Sequence, residues 1–129
     1  KLGIEYRPVV CTFRWGEQKI AFPTTLQKIL DEGEWAHGHN FVQVQTEEGK
    51  WVDLDITWDS PLKTYGFLTL PKDWDARTPF MGLHSIVKRW NGVSIAEKKS
   101  EILGSMSPKL LERRERFLHE FILWIDSLR

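Results

Sequence analysis

Residues 38–58 constrain this chain more than any other stretch. Gly38-His39-Asn40-Phe41-Val42-Gln43-Val44-Gln45 alternates polar and apolar side chains, and so does Trp51-Val52-Asp53-Leu54-Asp55-Ile56-Thr57-Trp58. A period of two belongs to half-buried strands, and Glu47-Glu48-Gly49 between the runs supplies a turn. The pattern predicts a β-hairpin. If Gly49 takes the left-handed conformation that closes such a loop, Thr46 falls opposite Lys50. Counting outward, Gln45 faces Trp51, Phe41 faces Asp55 and His39 faces Thr57. Facing residues share one side of a sheet, so His39 and Asp55 become diagonal neighbours on one face, roughly 7 Å apart at the backbone. Asn40, Val42, Val44, Val52, Leu54, Ile56 and Trp58 take the other, mostly apolar, face.

An imidazole beside a carboxylate has a known chemical use. The carboxylate accepts a proton from one ring nitrogen, fixes the tautomer and leaves the other nitrogen to act as a base. A thiol beside such a base ionises and becomes a nucleophile.

At these residues the chain resembles the transglutaminase-like superfamily of papain-like thiol enzymes. The family motif is a His leading into a strand, a hairpin turn, then Trp-x-x-Leu-Asp-Pro-Thr-Trp, matched here by His39-Asn40-Phe41-Val42 and by Trp51 to Trp58, with Ile56 in place of the Pro. The resemblance implies His39 as general base and Asp55 as its orienting acid. Leu2-Gly3-Ile4-Glu5-Tyr6-Arg7-Pro8-Val9-Val10 is similar to the segment that leaves the family's nucleophile helix and enters its first strand. The match covers about the first sixty residues. In the family the nucleophilic Cys begins a helix ahead of that segment, where the helix dipole and the His lower its pKa. This sequence opens at Lys1 and places no residue at that position, so the expectation is the His-Asp half of such an active site.

Length and composition bound the rest. With 129 residues, 41% of them hydrophobic, the chain suits one compact domain over residues 1–129. Eighteen basic and eighteen acidic side chains give zero formal net charge, which disfavours nucleic acid and anionic membrane as partners. Seven Trp suit a packed core or a ligand-lined groove. A single Cys allows no internal disulfide, and no apolar run approaches the roughly 20 residues of a membrane span, so a cytoplasmic location is the default, with a removed leader left open.

Along the chain, residues 5–15 read as a strand stopped by Gly16. Cys11 lies inside that strand, where burial raises a thiol pKa, so it reads as structural rather than nucleophilic. Residues 18–22 suit a return strand, and Thr24-Thr25-Leu26-Gln27 resembles a capping box opening a short helix to about Asp31. His37 and His39 invite a metal, but zinc needs three or four ligands and the other two His are distant, so no metal or cofactor is expected. His37 then reads as an exposed loop residue. Trp35 suits the core or, with Trp58, the flank of a substrate cleft. Asp53, opposite Gln43, reads as solvated surface.

Residues 62–70 suit a short strand broken by Gly66, and residues 80–90 carry a helical stripe with His84 as a structural histidine. Ser94-Ile95-Ala96-Glu97 is a second capping box, for a helix ending near Gly104. Ser107-Pro108 opens the strongest helix, whose stripe of Leu110, Leu111, Phe117, Leu118, Phe121, Ile122, Ile125 and Leu128 is expected to cover a sheet. The expected fold is therefore α+β: a small antiparallel sheet around the central hairpin, C-terminal helices packed on it, and a partial cysteine-proteinase or transglutaminase-like core. Two functions fit: a thiol acyltransferase or amide hydrolase with His39 and Asp55 catalytic, and a non-catalytic module binding a peptide or protein on the same fold.

Overall fold

The computed structural model describes residues 5–129. Leu2 to Ile4, which open the segment similar to the family's strand entry, lie outside the described residues. Strands β1 (Tyr6–Phe13), β2 (His37–Gln45), β3 (Trp51–Leu54) and β4 (Lys88–Asn91) form one antiparallel sheet in the order β3-β2-β1-β4. Helices are α1 (Thr24–Asp31), α2 (Ile95–Gly104) and α3 (Pro108–Leu128), with short 3-10 turns at Trp15–Glu17 and Ser60–Tyr65. The fold is α+β, with the hairpin in the sheet and helices at the C-terminal end.

The hairpin has the expected register. Gln45 pairs with Trp51 and Val42 with Leu54, and the Thr46 amide donates to the Lys50 carbonyl at 2.7 Å. Gly49, at φ 85°, supplies the left-handed residue that closes the loop. The second strand is shorter than its alternation predicts, because Phe80 takes over the ladder. The Asp55 amide donates to the Phe80 carbonyl and the Phe80 amide to the Asp53 carbonyl, each at 2.9 Å. Beyond Leu54 the pleat no longer dictates sides. Ile56 turns outward, and Trp58 packs on Trp15, Phe67 and Phe121 rather than lying on the opposite face of a strand.

Several local expectations are corrected by long-range bonds. Residues 18–22 form no strand: the Ala21 amide bonds the Tyr65 carbonyl, while Gln18 turns inward to bond Arg14, His84 and Ser85. Residues 62–70 form no strand either, since Ser60–Tyr65 closes as a 3-10 turn ended by left-handed Gly66. Residues 80–90 are no helix but a loop leading into β4, and His84 is exposed. Helix α1 starts as expected, yet Pro23 occupies its cap with no side-chain bond, and Gln27 bonds Asp31 instead.

The caps of the last two helices are as read from sequence. Ser94 accepts from the Glu97 amide and Ser107 from the Leu110 amide, with Pro108 in the first turn of α3. Phe117, Phe121 and Ile125 of α3 are buried, whereas Ile122 is 58% exposed. Helix α3 packs on α1 and on Ser60–Tyr65, and its rings reach Trp15, Trp35 and Trp58 beyond the strand ends instead of lying along the sheet.

Candidate functional site

Asp55 comes to its place because β3 stops one residue before it, and its side chain turns into the protein at 2% exposure. His39 lies within β2, directly across from Cys11 on β1. The ring of His39 meets Phe13 edge-on at 5.8 Å and lies 6.5 Å from Phe41. These contacts aim its Nε2 at Asp55, 2.9 Å from Oδ2. The hairpin carries the chain as far as Leu54, and the Phe80 bond to the Asp55 amide then sets the backbone from which the carboxylate turns in to meet His39.

Two further groups hold the carboxylate, and neither was singled out from the sequence. The Thr57 hydroxyl donates to Asp55 Oδ1, and its oxygen lies 3.4 Å from His39 Nε2. The Gly82 backbone lies against the carboxylate, and its amide dipole favours the ionised form. A Cβ at Gly82 would sit 3.2 Å from Asp55 Oδ2, so the loop approaches this closely because it carries no side chain. Trp58 anchors the same loop by donating its indole N–H to the Gly82 carbonyl at 3.0 Å. A local signal for Thr57 existed, since hydroxyls two residues from an Asp often close such bonds. Gly82 had none, because only the fold brings it near.

Burial works to raise the Asp55 pKa, but the His39 hydrogen bond and charge, the Thr57 hydroxyl and the Gly82 amide together hold it below the ordinary carboxylate value. An ionised Asp55 only accepts, so the proton of a neutral His39 sits on Nε2. Nδ1 keeps its lone pair, and no group among the described residues bonds it. The Asp55 bond thus fixes the ring's orientation and tautomer, with Nδ1 unbonded among the described residues.

Cys11 shares this sheet face but is fully buried, and burial followed by the Asp55 charge pushes its thiol up to about 12. It stays protonated at neutral pH and is a packing residue. His37 is a correction: it is the buried first residue of β2, not an exposed loop histidine. Its Nδ1 accepts the Trp35 indole N–H at 2.8 Å, and burial, then the charges of Arg114, His39 and Lys99, push its pKa down to about 3. Trp35 itself is buried against Phe117, whereas Trp58 is only partly buried, close to the Asp55 loop. Asp53 is no free surface carboxylate, since Arg89 bonds both its oxygens and Gln43 bonds one.

Among the described residues no cluster of three His, Cys, Asp or Glu is arranged to hold a metal, and no helix is long and apolar enough to cross a membrane. Comparison with protein-family models, curated proteins and solved structures gives no match. The reading of the site rests on its geometry.

Proposed function

We propose that this chain supplies the His-Asp half of a transglutaminase-like thiol acyltransferase or amide hydrolase. The observation that supports this most is the 2.9 Å bond between His39 Nε2 and buried Asp55, which leaves Nδ1 as the available base. In the reaction, Nδ1 takes the proton of a thiol, the thiolate attacks an amide carbonyl, and the imidazolium returns the proton to the departing amine. The thioester then passes its acyl group to water or to an amine. Asp55 stabilises the imidazolium, while Thr57 and Gly82 keep the carboxylate ionised. Cys11 is excluded as nucleophile by burial and by its raised pKa, so the sulfur comes from polypeptide outside this sequence. A peptide or protein is the substrate class, with partly buried Trp58 a candidate wall of its cleft.

The test compares wild type with His39→Ala in the natural polypeptide carrying this sequence, following iodoacetamide alkylation and amine release from peptide amides. A cysteine other than Cys11 is expected to react with a pKa below the ordinary value of about 8.5. His39→Ala is expected to slow acyl transfer by roughly 10²- to 10⁴-fold. Unchanged turnover in that variant removes the reading. Peptide binding without thiol-dependent turnover would mark the non-catalytic module on the same fold.

A further inference from the structure

On the sheet face turned away from the dyad, a cleft of about 540 Å³ opens between β1, β4 and α2. Thr12 pairs with Lys88 and Val10 with Trp90, alternating with the Cys11–Arg89 pair, so these side chains point away from His39. The helix lies on the sheet as a wedge. Ile102 Cδ1 comes within 3.6 Å of the position a Gly38 Cβ would take, yet α2 buries no residue fully, and towards Trp90 the gap is unfilled. Ile102, Met106, Leu110 and Trp90 remain only partly buried around it. The volume falls within the range of small-molecule sites, about 300–1,000 Å³.

The polar groups of the cleft select the ligand. The Lys88 and Lys98 ammoniums stand 5.4 and 4.8 Å from the Trp90 ring centre. Glu101 pairs with Lys98 at 3.2 Å, and no carboxylate among the described residues pairs with Lys88, so one positive charge is left over. On the same rung as Lys88, Thr12 lines the cleft at 4% exposure, and its hydroxyl bonds no group among the described residues. An exposed lysine with no carboxylate partner and a hydroxyl with no protein partner, both beside an apolar trough, match an anionic head on an apolar body.

We infer that this cleft binds a small amphipathic monocarboxylate, its carboxylate on Lys88 and Thr12 and its apolar body along Trp90, Ile102, Met106 and Leu110. A cationic ligand meets the one ammonium that no carboxylate offsets, and a neutral one leaves Lys88 and Thr12 to water. No dyad residue lines the cleft, so the inference stands apart from the acyl-transfer proposal.

Calorimetric titration of the chain with octanoate, octanol and octylammonium tests it, with circular dichroism reporting the fold of each variant. Octanoate is expected to bind saturably at one site, with octanol roughly tenfold or more weaker and octylammonium silent. Lys88→Glu is expected to weaken octanoate by roughly tenfold or more. Ile102→Trp, which fills the trough, is expected to abolish binding. Equal affinity for octanoate and octanol, no saturable octanoate binding below about 1 mM, or wild-type binding in both folded variants overturns the inference.

Discussion

At the scale of single residues, two histidines two positions apart on one strand differ through their surroundings. His39 donates to a carboxylate and presents a lone pair, whereas His37 accepts from Trp35 in a buried pocket and resists protonation. For His39 the tautomer is the testable quantity. In Asp55→Asn the amide offers a donor as well as an acceptor, so nitrogen-15 NMR is expected to show the neutral ring losing its pure Nε2–H form. An unchanged Nε2–H signal would mean that Asp55 does not set the tautomer. For His37 the sign follows from linkage. Its pKa falls from the ordinary 6.5 to about 3 on folding, so between those values the unfolded chain binds the extra proton. Stability should therefore fall as pH drops through that window, by on the order of a few kcal/mol in total. Urea unfolding between about pH 6.5 and 4 reads it before carboxylates dominate. His37→Gln is expected to be less stable at neutral pH but flatter across the window.

At the scale of elements, caps and tight turns carry separable contributions. Ser107 accepts the Leu110 amide at the start of α3, and Ser107→Ala is expected to lower stability by about 1 kcal/mol in denaturant titration. Gly66 is under a stricter constraint. It ends Ser60–Tyr65 at φ 95°, and a Cβ there would sit 2.3 Å from the Lys19 carbonyl oxygen. Gly66→Ala is therefore expected to cost more than the ~1–2 kcal/mol of a left-handed residue, because backbone must also move. Equal losses in the two variants would show that the loop around Lys19 yields without resistance. The same contact explains why the short strand expected over residues 62–70 does not form: the segment is held by residues 19–21, not by a sheet edge.

At the scale of the whole molecule, the aromatic rings gather at one end of the sheet. Phe117 is fully buried and touches Trp15, Phe22, Trp35 and Phe121, tying α3 to segments that flank β1 and β2. Phe117→Ala is expected to cost about 3–5 kcal/mol, seen as a lowered midpoint in chemical unfolding. A loss below about 1 kcal/mol would mean that the cluster collapses around the vacancy. The other half of that sheet face is polar, with Arg7 over Trp51 at 3.7 Å and Arg89 clamped on Asp53. His39 and Asp55 lie between these regions, where buried rings give way to charged partners.

The sequence by itself determined the hairpin register as far as Leu54, the caps of α2 and α3, and the inert character of Cys11, and it put His39 and Asp55 on neighbouring arms of the hairpin, while the Phe80 bond to Asp55 completed their meeting. Apart from that bond, each of these follows from chemistry within a few residues: side-chain alternation, a glycine at the turn, a hydroxyl before a helix, a thiol inside an apolar strand. Tertiary structure alone decided where β3 stops, that residues 80–90 become a loop and a strand instead of a helix, that His37 is buried, and that Gly82 reaches the carboxylate. Those outcomes depend on hydrogen bonds and ring contacts between segments distant in the chain. A helical stripe at Met81, Leu83, Ile86 and Val87 loses to the backbone bonds that Phe80 makes with Asp53 and Asp55 and that Val87 makes with Thr12. Local periodicity carries no information about such partners.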